Sequence, residues 1–479
     1  MSDGEIFGKC MCIWPPFCLK KLTTCGKKRK NLPSHSEYRN YARKNVGFEP
    51  VDLDKMLNRK SAPPVHEVRN LVLPNTTVIR LDNGVPVYIL DFPGQQIVKI
   101  EAVFRAGRPE EDKHLVSRAT SRLLREGTVN RTGAEIAEQI DFYGGSLSVP
   151  TNLDVSSFLL FSLKKYAAEL IPIFAEVLQT PVFPEAELET FKRTSVQELL
   201  VELEKVEVLA YRKVTELIFG EQHPYGYNSV PEDYAALECA DLKRFFNSWY
   251  HPSNLFLFAS GNIDEEVLKL LNRYLGQSKK EGKIPDVQRF QSNENALPTR
   301  LSISHPGSLQ TAIKIGRRTF NRRHPDFNGL FVLNAILGGY FGSRLMMTIR
   351  EKKGYTYNIY STLDTYLYDG CFYIATEVNP DKAAATVKEI FVEMKKLRDK
   401  PVDDDELAMV RNYLLGMLLN GLDGPLNTSD VVRSLVVEGL SYNAFDGLVD
   451  TIRSITPAQL QTLAQRYLQP EDYWIVTVG

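Results

Sequence analysis

Histidine is the side chain most often used for metal binding and proton transfer, and in this sequence it is sparse and widely spaced. Seven histidines are present, and no two of them lie within five residues of each other: His35, His66, His114, His223, His251, His305 and His324. A helical zinc site needs two histidines about four residues apart, so that both face the same side. The histidines alone therefore predict no helical metal site.

Other generic catalytic motifs are also missing from the sequence. There is no Gly-x-Ser-x-Gly elbow for a serine nucleophile. The run 338–343 (GGYFGS) lacks the Gly-Lys-Ser/Thr ending that grips phosphates in a phosphate-binding loop. Cys239 and Cys371 stand alone, as is typical of a reducing compartment. The remaining four cysteines fall within the first 25 positions, in spacings that match no standard zinc pattern.

An internal repeat indicates how the chain positions its side chains. Residues 240–261 and 458–479 each read as an amphipathic helix, a turn at Pro and a buried strand, at an offset of 218 residues. The pairs 187–188 and 406–407 both read Glu-Leu at the acidic start of a long helix, at an offset of 219 residues. Two matches in the same order predict a duplicated unit of about 200 residues.

The pattern within each unit favours an α+β fold. Strands cluster early and late, with long helices between them, and residues 82–84 (DNG) form a strong hairpin signal. We expect two homologous units, each a mostly antiparallel sheet packed with helices. The predicted divisions are a leader at 1–55, a first unit at 56–275, a linker at 276–300 and a second unit at 301–479.

Composition narrows the classes of function. The chain has 479 residues, a formal net charge of −1 and 43% hydrophobic residues, which is ordinary for a globular protein. The charge argues against binding nucleic acid by bulk attraction, and no apolar run reaches the roughly 18 residues that predict a membrane span. The leader contains a basic run at 27–30 but no secretory or mitochondrial targeting pattern. We interpret it as a disordered leader, or as sequence upstream of a start at Met56, and expect a cytoplasmic protein.

Several short motifs carry a family resemblance through their order and spacing. They are 81–87 (LDNGVPV), 104–107 (FRAG) followed by Glu110, 223–226 (HPYG), 338–345 (GGYFGSRL) and 349–354 (IREKKG). From about Thr76 to Gly479 the sequence resembles the insulinase/pitrilysin metallopeptidase family, especially half-length members such as the subunits of mitochondrial processing peptidase. This resemblance implies half of a clamshell that encloses an unfolded peptide.

The sequence departs from that family at the metal motif. Active members carry His-x-x-Glu-His on a helix, and the aligned residues here are Arg118, Ser121 and Arg122. An arginine has no lone pair to offer a cation, so these positions cannot bind zinc. Of the family's ligands, the distant third one is matched by Glu202. We expect Glu202, or alternatively Glu198, to pair with one of the two arginines; otherwise it is a solvated acid.

A second family site is retained in the sequence. Active relatives use an Arg and a Tyr seven positions apart to hold the peptide and to stabilise the tetrahedral intermediate. Arg350 and Tyr357 have this spacing, and a guanidinium and a phenol both donate to an oxygen that gains charge. Tyr355 is a nearby alternative for the tyrosine. The resemblance therefore implies a substrate-binding role for Arg350 and Tyr357.

Together these features predict a pseudo-peptidase that is not an enzyme on its own. The first hypothesis is a non-catalytic, substrate-binding subunit of a heterodimeric zinc metallopeptidase. Its partner would be a homologous catalytic subunit that carries His-x-x-Glu-His and the zinc, and no cofactor is expected in this chain. The alternatives are a metal-free structural protein, like relatives that serve as scaffolds in a membrane respiratory complex, and a peptide-binding homodimer. An independently active peptidase is the least favoured reading.

Overall fold

The computed structural model of the chain describes residues 68, 70–150, 152–283, 290 and 297–479. The predicted leader at 1–55 lies outside the described residues, as do residues 284–289 and 291–296 of the predicted linker. Asn70–Gly479 forms one compact unit. The predicted boundaries between the two homologous units remain predictions.

Eleven strands are formed within the described residues. They are β1 (Thr77–Arg80), β2 (Pro86–Asp91), β3 (Ile97–Phe104), β4 (Ser146–Ser148), β5 (Ser156–Leu163), β6 (Leu255–Gly261), β7 (Arg300–Ile303), β8 (Thr311–Arg318), β9 (Ile359–Thr365), β10 (Gly370–Val378) and β11 (Trp474–Val478).

Fourteen α-helices lie in the same described part of the chain. They are α1 (Val116–Leu123), α2 (Gly133–Phe142), α3 (Ala167–Gln179), α4 (Glu185–Leu203), α5 (Val206–Phe219), α6 (Pro231–Ala235), α7 (Cys239–Trp249), α8 (Glu265–Leu275), α9 (Phe327–Asn334), α10 (Ala383–Asp399), α11 (Asp404–Gly421), α12 (Gly424–Val437), α13 (Asn443–Ser454) and α14 (Pro457–Tyr467). Two π-helical segments, Ala335–Gly339 and Met346–Lys352, lie between α9 and β9.

The strands form two sheets with related topology. The first sheet has the order β1-β2-β6-β3-β5-β4, and the second has the order β7-β11-β8-β10-β9. Each sheet contains one parallel pair, β2 with β6 and β7 with β11, and its other pairs are antiparallel. In the first sheet β6 lies between β2 and β3, and in the second sheet β11 lies between β7 and β8. The predicted α+β fold with two mostly antiparallel sheets is confirmed.

The repeat predicted from the sequence corresponds to matching elements in the two sheets. Its first copy contains α7 and β6, and its second copy contains α14 and β11. The predicted hairpin is also present, since β1 pairs antiparallel with β2 across the turn. Gly84 adopts φ +85° there, a conformation that glycine reaches without steric strain.

The two sheets differ in which helices cover them. The first core packs β2, β3, β5 and β6 against α1, α3, α4, α7 and α8. A second core places α5 of the first half against β8, β10 and β11, with Val214 and Ile218 next to Gly316. A third cluster packs α12 against the first sheet through Val432, Phe258 and Leu90. Apolar burial therefore links each half of the chain to the sheet of the other half.

Candidate functional site

The residues expected to align with the family's metal motif lie on α1, which packs between α7 and the first sheet. Arg118 is half-buried, and its Nη1 lies 3.5 Å from the hydroxyl oxygen of Tyr234. Ser121 is buried and Arg122 is exposed. Positions i, i+3 and i+4 of a helix share one face, so the three side chains project from the same side of α1. The predicted helical placement of these three side chains is thus observed, and none of them is a histidine or glutamate.

The third residue of this motif, Glu202, lies near the end of α4. Its carboxylate accepts a hydrogen bond from the ammonium group of Lys205 at 2.6 Å, an i,i+3 pair. Glu198 is exposed. Within the described residues neither carboxylate forms an ion pair with Arg118 or Arg122. The expected ion pair is therefore not formed, because Lys205, one turn away, satisfies Glu202 locally.

The donor set at this position does not fit zinc. Zinc is held by lone pairs of thiolate, imidazole or carboxylate groups, and two of the four side chains here are guanidinium groups that only donate. In the described part of the chain, no group of three or more His, Cys, Asp or Glu side chains is arranged to hold a metal ion. No catalytic step through a metal is derived for these residues.

Arg350 and Tyr357 are brought together by the structure. The guanidinium carbon of Arg350 lies 5.1 Å from the centre of the Tyr357 ring and 4.7 Å from the centre of the Phe341 ring. Tyr357 is 85% exposed and Phe341 is 58% exposed, whereas the Arg350 side chain is only 23% exposed. Tyr355, the alternative tyrosine, is instead near the ammonium group of Lys353. The observed contact favours Tyr357 as the partner of Arg350.

The Arg350 guanidinium makes no hydrogen bond within the described residues, in contrast to that of a nearby arginine, and has only a loose ion pair with Glu351. Arg344 makes two hydrogen bonds to the carboxylate of Glu406, at 2.9 and 2.7 Å. Arg350 has no hydrogen-bond acceptor among the described residues, and its nearest carboxylate is that of Glu351, with 3.6 Å between Nη1 and Oε1. Aromatic rings interact with the face of a guanidinium and leave its in-plane N–H groups available. The N–H groups of Arg350 can therefore donate hydrogen bonds to a ligand oxygen.

The scaffold of this pair is a rigid turn beside a sheet edge. Arg350 lies in the π-helical segment Met346–Lys352, and Tyr357 lies two residues before β9, the edge strand of the second sheet. Gly338 packs so closely on β9 that an added Cβ would lie 2.6 Å from the Ser361 nitrogen. π-Helical turns often occur at functional sites. The two aromatic rings and the guanidinium therefore lie close in sequence to an open sheet edge.

A cluster of buried carboxylates was missed by the sequence reasoning. Asp154 accepts hydrogen bonds from the hydroxyl of Tyr225 and, at 3.0 Å, from the backbone nitrogen of Leu367. Glu110 accepts from the nitrogen of Gly107 at 3.0 Å and from the hydroxyl of Tyr368 at 3.3 Å. Leu367 and Tyr368 belong to the turn between β9 and β10. We call this set the carboxylate latch, because it joins that turn to the first half of the chain.

Burial changes the ionisation of the latch. It raises the pKa of Glu110 to about 8 and the pKa of Asp154 to about 6, since desolvation disfavours the charged carboxylate. Next to them, Asp369 pairs with Arg318 and with His223, and these contacts lower its pKa against the opposing effect of burial. Glu110 and His223 both fall in motifs noted in the sequence, but a motif does not show which side chains meet.

Known proteins resemble this chain over most of its length. A family model described as the peptidase M16 inactive domain matches residues 236–414. The uncharacterized zinc protease YmxG of Bacillus subtilis is 22% identical over 406 residues, which cover 83% of this chain and 96% of YmxG. These similarities support the resemblance of this chain to the insulinase-like M16 peptidases.

Solved structures show the same fold. A peptidase M16 inactive domain from Pseudomonas fluorescens matches with a TM-score of 0.76 and 22% identity, covering 85% of this chain and 98% of that structure. A protease from Helicobacter pylori matches with a TM-score of 0.78 and 17% identity, covering 85% of this chain and all of that structure. The chain thus shares the fold of these two structures, consistent with half of a clamshell. Among the described residues, no helix combines the length and apolarity needed to cross a bilayer.

Proposed function

We propose that this chain is a non-catalytic, substrate-binding subunit of a heterodimeric zinc metallopeptidase. The observation that carries the proposal is the Arg350 guanidinium, which contacts the rings of Phe341 and Tyr357 and makes no hydrogen bond to a described residue. The residues on α1 support a division of labour, because Arg118 and Arg122 have no lone pair with which to bind zinc. The zinc and its His-x-x-Glu-His helix then belong to a homologous partner subunit.

The chemistry assigned to Arg350 and Tyr357 is to bind and polarise a peptide carbonyl. As water adds to the carbonyl carbon, its oxygen gains negative charge, and donors already in place stabilise that charge without reorganising. Arg350 supplies in-plane N–H groups, and Tyr357 supplies one phenolic O–H. Tyr357 is largely exposed, so its hydroxyl is accessible to a peptide that lies along the edge strand β9.

The first test is native purification of the full chain from its own cells, with identification of the proteins that copurify. We expect an equimolar M16 relative that carries His-x-x-Glu-His, and peptidase activity in the complex. A chain recovered only with copies of itself would contradict the heterodimer and favour a peptide-binding or structural homodimer.

The second test changes Arg350 in that complex. Arg350→Ala removes a donor that acts on the developing oxyanion, and we expect kcat/KM to fall about a hundredfold or more. Arg193→Ala is the matched control, because Arg193 is an exposed arginine on α4 and should leave kcat/KM within about twofold of wild type. Full activity of the Arg350→Ala complex would contradict the assigned role.

A further inference from the structure

Phe341 is a large aromatic side chain that remains exposed on a well-fixed loop. It lies between the π-helical segment Ala335–Gly339 and the helical turn that carries Arg350. Its ring is 58% exposed, and its one ring contact to a charged group among the described residues is with the Arg350 guanidinium at 4.7 Å. Leaving an aromatic ring in water is unfavourable, so the residue has a use other than filling a core.

The loop around Phe341 is held by its neighbours. The ring of Tyr340 stacks on that of Tyr413 with 4.7 Å between centroids, and the nitrogen of Ser343 donates to the carbonyl of Tyr340 at 3.1 Å. A Cβ at Gly342 would lie 2.6 Å from the Tyr340 ring, so this close approach requires glycine. Phe341 therefore has a fixed backbone position although its own ring is exposed.

We propose that Phe341 is a positioning residue for Arg350, an inference that rests on the proposed function. Phe341 and Tyr357 contact the guanidinium and restrict its orientation, and the N–H edge is then presented to the peptide. Arginine otherwise has many rotamers, and fixing them in advance lowers the cost of binding.

The neighbouring Glu351 carboxylate competes with a peptide for the Arg350 guanidinium, which is why a contact from Phe341 would be useful. The carboxylate of Glu351 lies 3.6 Å from Nη1 of Arg350, slightly too far for a hydrogen bond. If Phe341 did not hold the guanidinium, a small rotation would tighten this loose ion pair into a hydrogen bond and occupy donors that are proposed to bind the peptide. Phe341 thereby keeps Arg350 available, whereas Arg344 is occupied by Glu406.

The test compares Phe341→Leu and Phe341→Tyr in the purified complex. Leucine keeps an apolar side chain but loses the cation–π contact, and we expect kcat/KM to fall about fivefold. Tyrosine keeps the ring and should remain within about twofold of wild type. Phe142→Leu is the control, because Phe142 is also a highly exposed aromatic residue, and it should have no effect.

A double variant shows whether Phe341 acts through Arg350. In the Arg350→Ala background, Phe341→Leu should cause no further loss, because the contact no longer exists. An equal loss in both backgrounds would overturn the positioning role. If Arg350→Ala impairs the complex and Phe341→Leu does not, the positioning role is wrong and the proposed function stands. If Arg350→Ala has no effect, the proposed function itself fails.

The stacking can also be measured in this chain alone. In protein with nitrogen-15-labelled arginine, the Nε–H signal of Arg350 should be shifted by the ring currents of Phe341 and Tyr357. Phe341→Leu should move that signal toward the position of a solvated arginine, and Phe341→Tyr should not. An Arg350 signal that is identical in wild type and Phe341→Leu would overturn the inference without reference to activity.

Discussion

Arg118 and Arg122 lie one turn apart on α1, at positions where a zinc ligand would have to offer a lone pair. We expect the wild-type chain to retain less than about 0.1 equivalent of zinc after dialysis, because these side chains only donate. The triple change R118H/S121E/R122H supplies two imidazoles one turn apart, and should retain more zinc than the wild-type chain. Mass spectrometry measures the zinc content of the wild-type chain and of the triple variant.

The matched control for this zinc prediction is R118A/S121A/R122A, which removes both charges without adding ligands. It should remain free of zinc, since the loss of repulsion alone creates no coordination sphere. Stoichiometric zinc in the wild-type chain would contradict the assignment of a degenerate site.

Some residues of the candidate site could be predicted from the sequence and others could not. Arg350 and Tyr357 were predicted because their spacing matches a family pattern, and the structure places them in contact. Phe341 was missed because its contact with Arg350 depends on a π-helical turn that no local pattern indicates. The pairing of Glu202 with Lys205 could have been anticipated, since i,i+3 neighbours compete for a carboxylate with any distant partner.

At the scale of elements, the close packing of Ala335–Gly339 on β9 sets the position of the candidate site. Gly338→Ala would place a Cβ 2.6 Å from the Ser361 nitrogen and hydroxyl oxygen, and we expect it to lower the free energy of unfolding by about 1–3 kcal/mol. Urea unfolding measures this loss. Gly94→Ala is the control, because nothing lies within 4 Å of its added Cβ, and it should stay within about 0.5 kcal/mol of wild type.

The elements themselves were largely predictable where patterns are local. The DNG turn, the acidic starts of α4 and α11, and the helix-turn-strand repeat all correspond to observed elements. The insertion of β6 next to β2, and of β11 next to β7, was not predictable. That pairing joins residues about 170 positions apart, and no sequence window contains both strands.

At the scale of the whole molecule, the carboxylate latch holds the two halves of the chain together by polar contacts. Leu367 and Tyr368 of the second half contact Asp154 and Glu110 of the first, and the Tyr225 ring stacks on that of Tyr366 at 4.2 Å. Arg105 is a nearby positive charge. Because the Glu110 carboxyl is buried here, the protonated form is the one that the folded state favours.

The latch predicts a fall in stability as the pH rises. The folded-state pKa values of Glu110 and Asp154, about 8 and about 6, lie above those of unfolded carboxyls near 4. The folded state therefore keeps protons that the unfolded state has lost, and the contribution to stability is full below pH 4 and lost by pH 8. Each group adds a slope of up to about 1.4 kcal/mol per pH unit in its own window.

Glu110→Gln tests this dependence, because the amide has the same shape and does not ionise. Between pH 6 and pH 8 the free energy of unfolding should decrease less in Glu110→Gln than in the wild type. Urea unfolding at each pH measures this. Glu135→Gln is the control. The backbone and side chain of Thr132 donate hydrogen bonds to the Glu135 carboxylate and lower its pKa. The contribution of Glu135 to stability is therefore lost only in acid, outside the range from pH 6 to pH 8. A Glu110→Gln protein as steeply pH-dependent as wild type would show that the latch carboxyl is already ionised, and that polar contacts between charged groups join the halves.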